Sequence, residues 1–82
     1  MNKEEIMIEV QNIFRTVFDD SHLVITDSTN ANDIDDWDSL EQINIILTVS
    51  KKFNVKFEIN EVSNLKNVGE IVDLIYQKID KK

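Results

Sequence analysis

Not one proline interrupts this chain, and Gly69 is its only glycine. Sheets with tight turns need those residue types at their corners, so a chain almost without them is steered toward helices and longer connections. The apolar residues agree. Ile6, Val10, Ile13, Phe14 and Val17 recur at spacings of three and four, with Met7 alongside, which is one face of an amphipathic helix. Asn2 and Glu5 have the spacing of a capping box, so a first helix is predicted from about Lys3 to Phe18. Asp19-Asp20-Ser21-His22 ends it.

From about Asp19 to Asp38 the chain is polar, with apolar anchors at Leu23, Val24, Ile25 and Ile34. Between Thr26 and Asp33 there is no large apolar residue. A connection of roughly twenty residues is unusual in a compact domain and signals either function or disorder. Its aspartates resemble a calcium loop only superficially. No window from Asp27 or Asp33 places glycine sixth and glutamate twelfth, which excludes an EF-hand.

The loop closes on Asp35-Asp36-Trp37-Asp38-Ser39-Leu40-Glu41, where a polar segment gives way to an apolar one. Asp38 and Glu41 read as an acidic capping box for a second helix, roughly Ser39 to Phe53. Ser39 then sits in the first turn, beside free N–H groups and the positive end of the helix dipole, a ready place for a phosphate group. A D-S-L tripeptide alone means only a cap. Stepped at about 100° per residue, this helix has two apolar stripes. Ile45, Ile46, Val49 and Phe53 form the wider one and are assigned to the core. Leu40, Ile43 and Leu47 form the second, which is either buried in a central helix or a docking surface; beside Ser39, part of it is expected to be exposed.

Lys51, Lys52 and Asn54 close the second helix, with the lysines at its negative end. Val55 to Ile59 alternates like a strand, but with no partner strand it reads as an extended connection. Asn60 is expected to cap a short helix from Glu61 to Asn64, with Val62 and Leu65 turned inward. Asn67 and Glu70 supply a further capping box for a last helix to about Lys78, carrying Val68, Ile71, Val72, Leu74, Ile75 and Ile79. Lys78, Lys81 and Lys82 complement its C-terminal end. The expected fold is all-α: a small four-helix bundle, three long helices and one short, with a long loop between the first two.

Eighty-two residues allow one domain, 1–82, with one modest core. The chain has no cysteine, which excludes disulfides, thiolate metal sites and thiol nucleophiles. Its formal charge of −7 argues against nucleic acid and anionic membranes, and favours partners with a basic patch. Plain solubility explains that charge equally well. The polar start Met1-Asn2-Lys3-Glu4-Glu5 lacks a signal peptide's apolar core, and no apolar run reaches membrane-spanning length, so a cytoplasmic protein is expected.

Little here points to catalysis. His22 is the only histidine, and its pairing with Ser39 across the loop is unsupported. Asp19-Asp20 and Asp35-Asp36 read as solvated loop carboxylates, and three small helices hardly supply the cleft that acid–base chemistry needs. The chain is expected to catalyse nothing alone.

The order of long helix, long loop, D-S-L at a helix start, short helix and last helix resembles the acyl carrier protein family, with its peptidyl carrier relatives, over essentially the whole chain. Asp38-Ser39-Leu40 is similar to that family's modification motif, Trp37 before it is a recurring variant, and Phe53, Leu65 and Val68 fit the family's core. The resemblance implies that a phosphopantetheinyl transferase attaches 4′-phosphopantetheine from coenzyme A to Ser39 through a phosphodiester, the transferase supplying base and metal. The arm's thiol then carries acyl or aminoacyl groups as thioesters for loading and processing enzymes. Asp38, Leu40, Glu41, Ile43 and Leu47 become the partner-binding residues of a monomeric carrier without catalytic residues or bound metal. Fatty-acid carriers usually bear several acidic residues along the second helix, whereas this one has Glu41 only, which points to a dedicated carrier for a specialised pathway. The rival reading is a helical interaction module in which Ser39 is only a cap and the Leu40, Ile43, Leu47 stripe binds a protein.

Overall fold

The computed structural model describes residues 1–80, with the side chain of Asp80 excepted. It contains four helices in chain order: α1 (Lys3–Val17), α2 (Ser39–Phe53), α3 (Ile59–Val62) and α4 (Val68–Asp80). No strand occurs among the described residues. Lys81 and Lys82, expected to complement the end of the last helix, lie outside them.

The local signals at α1 act as read. Asn2 Oδ1 accepts from the Glu5 N–H at 2.9 Å, and Glu5 Oε1 accepts from the Asn2 N–H at 3.1 Å, so both halves of the box form. Phe18 is the C-cap, and Asp19 turns the chain away with φ 51°, in the left-handed region. At the end of α2, Asn54 takes the same region with φ 54°, which is why asparagine suits that position.

Helix α1 packs against both α2 and α4. The core joins Ile6, Val10, Ile13 and Phe14 of α1, Ile45 and Val49 of α2, and Val68, Ile71, Val72 and Ile75 of α4. Ile25 and Trp37 from the loop complete it. These are the wide stripes of each helix, sequestered as their spacing requires.

Several local expectations are corrected. The Asp38–Glu41 box forms only by half: Asp38 Oδ1 accepts from the Glu41 N–H at 2.9 Å, but the Glu41 carboxylate is drawn to the Asn44 amide at 2.7 Å, one helical turn on. The short helix starts earlier, at Ile59, because the Glu61 carboxylate accepts from the Glu58 N–H at 2.9 Å and sets Glu58, not Asn60, as its N-cap. At α4, Asn67 Oδ1 caps the Glu70 N–H at 2.9 Å, while the Glu70 side chain reaches past Asn67 to the Lys66 N–H at 3.3 Å. Lys78 stands in the last turn of α4 as expected, and its ammonium also pairs with Glu61 at 2.8 Å, which ties α4 to α3.

The long loop is ordered by its own polar groups. Arg15 Nε donates to the Leu23 carbonyl at 2.7 Å, and Gln11 Oε1 accepts from the Ile25 N–H at 3.0 Å, so α1 holds the loop's first part. Leu23 and Ile34 are half-buried and Ile25 is buried, but Val24 points into solvent. Thr29 is buried in the stretch without large apolar residues, its Oγ1 accepting from the Thr26 N–H at 2.8 Å. The carbonyls of Thr29 and Asp27 then accept from the N–H groups of Val68 and Gly69, each at 2.8 Å. Two of the orphan donors at the start of α4 are thereby satisfied by the loop.

Candidate functional site

The last turn of the loop aims its end at the start of α2. Trp37 is buried, its indole edge-on to the Phe14 ring at a centroid distance of 5.1 Å and an interplanar angle of 89°. Its Nε1–H donates to Gln42 Oε1 at 2.7 Å, so the indole is fixed to α1 and α2 together. Trp37 is therefore a loop anchor. With that residue held, Asp38 falls at the N-cap of α2 and Ser39 at its first helical position.

Ser39 is exposed, and its hydroxyl has no hydrogen-bond partner among the described residues. The Asp38 carboxylate is occupied by the Glu41 N–H. That leaves the N–H groups of Ser39 and Leu40, the first two of the helix, without a described acceptor and facing the dipole's positive end. A phosphate ester on this oxygen meets unspent donors and a favourable field. Beside it lies an open groove of about 300 Å³ lined by Trp37, Asp38, Ser39, Gln42, Leu65 and Lys66. The chain thus fits a covalently tethered phosphate group: an accessible alcohol, free amides and one nearby cation.

His22 stands apart. It is exposed, its N–H donates to Asp20 Oδ1 at 3.0 Å, and no hydrogen bond joins it to Ser39. No cluster of metal-binding side chains occurs among the described residues, and none of the described helices is long and apolar enough to cross a membrane.

The second stripe of α2 is on the outside. Leu40, Ile43 and Leu47 are 65, 55 and 56% exposed, and Ile59 of α3 is 86% exposed. Between them runs a groove of about 270 Å³, lined almost wholly by apolar atoms of Ile43, Ile46, Leu47, Phe57, Ile59 and Val62. Ile46, assigned from its stripe to the core, borders this groove as well. No local pattern in the chain points to Lys66 beside Ser39 or to Ile59 beside Leu47, since both meet α2 only through the fold.

An outward hydroxyl without a base, on a rigid helical support, is the site of a carrier: a scaffold that receives a group made elsewhere. The family model described as the phosphopantetheine attachment site matches residues 9–75. An acyl carrier protein of Cyanidium caldarium is 31% identical, covering 100% of this chain and 95% of its own. The solution structure of a holo acyl carrier protein from Geobacter metallireducens is 43% identical with a TM-score of 0.85, over 92% of this chain and 86% of that one. The crystal structure of an acyl carrier protein from Thermotoga maritima, 15% identical, has a TM-score of 0.86 over 99% of this chain and 94% of that one, which speaks for the fold alone. This chain belongs to the acyl carrier protein family, as a non-catalytic carrier that bears phosphopantetheine. When bound, that group supplies a terminal thiol on which an acyl chain rides as a thioester.

Proposed function

We propose that Ser39 is the residue that carries the arm, and that the chain serves a specialised biosynthetic pathway in the cytoplasm, handing acyl or aminoacyl groups between enzymes. The observation that carries this reading is the exposed, unpartnered Ser39 hydroxyl at the first position of α2, inside the matched span. A phosphopantetheinyl transferase makes the new bond from the serine oxygen to the β-phosphorus of coenzyme A as the pyrophosphate linkage breaks; 3′,5′-ADP leaves, and the serine proton passes to a base of the transferase. Tethering then raises the effective concentration of cargo at each enzyme that docks.

Docking is assigned to Asp38, Leu40, Glu41, Ile43 and Leu47. The stripe begins at the residue after Ser39, so an enzyme seated on it faces the arm's root. Beyond the half-buried Glu41 in its first turn, the exposed side chains of α2 are uncharged until Lys51 and Lys52 at its far end, although the whole chain carries −7. Enzymes that read this face present an apolar patch to it, which supports a dedicated pathway over general fatty-acid synthesis.

The test is intact-mass spectrometry after incubation with coenzyme A and a broad-specificity transferase. One phosphopantetheine should be gained by the parent and none by Ser39→Ala. An unchanged parent, or a gain that survives the substitution, overturns the assignment.

A further inference from the structure

The negative charge placed on Ser39 by modification arrives beside a carboxylate. Asp38 lines the same groove, and Asp35 and Asp36 precede it, so the surroundings of the phosphodiester are otherwise anionic. One cation lines that groove, Lys66. Lys3, Lys52 and Lys78 are engaged with Asp73, Glu9 and Glu61 at 2.8, 3.0 and 2.8 Å. Lys66 uses only its backbone N–H, toward Glu70, and its ammonium has no carboxylate partner among the described residues.

The rest of the groove offers partners for the groups attached beyond the phosphate in this arm. First comes a branched carbon carrying two methyl groups, then a hydroxyl and an amide. Trp37 and Leu65 offer apolar walls at the groove, and the Trp37 ring is already fixed by Phe14 and Gln42. Gln42 Oε1 is occupied by that indole, which leaves its amide NH₂ without a described acceptor and able to donate. A cation, two apolar walls and a spare donor meet in one recess.

We propose that the proximal half of the arm is seated in this groove: Lys66 pairs with the phosphodiester, the dimethyl segment lies against Trp37 and Leu65, and only the distal, thiol-bearing half swings free. Lys66 is a positioning residue in this arrangement. It narrows the volume that the thiol sweeps and points the arm along the loop side of α2. The inference rests on Ser39 being the modified residue.

The experiment uses holo protein whose pantoyl methyls carry ¹³C, compared by NMR with the apo protein. Expected are Overhauser contacts from those methyls to the Trp37 indole and Leu65 methyls, and a displacement of the Lys66 side-chain resonances on going from apo to holo. The side-chain resonances of Lys56, exposed elsewhere, should coincide in the two forms. Lys66→Ala, loaded in the same way, should lose most of the contact intensity with its melting curve unchanged. Absence of the methyl contacts in the parent, or unmoved Lys66 side-chain resonances, overturns the proposal. Failure of the Ser39 assignment is read separately, as a mass gain that Ser39→Ala retains.

Discussion

The carbonyl of Asp27 accepts a hydrogen bond from the Gly69 N–H at 2.8 Å, and a Cβ on Gly69 would stand 2.9 Å from that same oxygen. The only glycine of the chain thus sits where the loop backbone closes on the start of α4. Its role is close approach, since its φ is not positive. With Thr29 bonded to Val68, the contact makes the loop a strap from α1 across the head of α4, ending at the Trp37 anchor and the site.

Gly69→Ala should therefore destabilise the protein by about 1–3 kcal/mol, the usual effect of forcing extra volume into a filled space. In an unconstrained helix the same change stabilises by about 1 kcal/mol. Urea unfolding decides the sign, and a gain in stability would show that the strap yields without cost.

Ser39→Ala should leave unfolding free energy within about 1 kcal/mol of the parent, because its hydroxyl bonds to no described group. Attachment of the arm should be lost altogether. A large fall in melting temperature would mean that the hydroxyl is structural after all.

Asp38 has two candidate duties, and two substitutions separate them. Asp38→Ala removes the acceptor for the Glu41 N–H and should cost about 0.5–2 kcal/mol. Asp38→Asn keeps a capping oxygen and should retain most of that stability. If its modification rate nonetheless drops, the carboxylate also orients the transferase; equal rates would confine Asp38 to capping.

Trp37→Phe keeps a ring against Phe14 but loses the donor to Gln42, and should cost about 0.5–1.5 kcal/mol. Trp37→Ala also empties the space and should cost about 3–5 kcal/mol. Chemical denaturation measures both, and near-equal losses would show that the hydrogen bond, not the packing, holds the anchor.

Ile43→Asn and Leu47→Asn should each stay within about 0.5 kcal/mol of the parent, as exposed positions do. Loading by a partner enzyme should nevertheless slow about tenfold for each 1.4 kcal/mol of lost docking energy. The part of that loss due to Ile43 and Leu47 should vary little with salt, because apolar contacts are not screened, unlike those of Asp38 and Glu41. An effect of the two substitutions that vanishes at high salt would instead show that the charged residues, not the stripe, carry the docking.

Much of this is legible in the chain without its fold. The 3.6-residue spacing of Ile6, Val10, Ile13 and Phe14, and the caps Asn2, Asp38 and Asn67, are relations among residues a turn apart, so the sequence states them directly. Even Ser39 at a helix start follows from such local order. The start of α3 and the partner of Glu41 depart from expectation because several polar side chains within one turn compete for the same N–H groups, and small geometric differences decide which wins.

A single chain of letters leaves open the side on which each element meets the others. Both stripes of α2 are apolar on paper; Ile45 and Val49 are inside because α1 covers them, and Leu40, Ile43 and Leu47 stay exposed because the short α3 only borders that face across a groove. Thr29 against Val68, Asp27 against Gly69 and Lys66 beside Ser39 are likewise meetings of distant segments. Periodicity and capping depend on neighbours along the backbone, so the sequence alone determines them. Burial and the composition of a groove depend on neighbours in space, and only the packed tertiary structure supplies those.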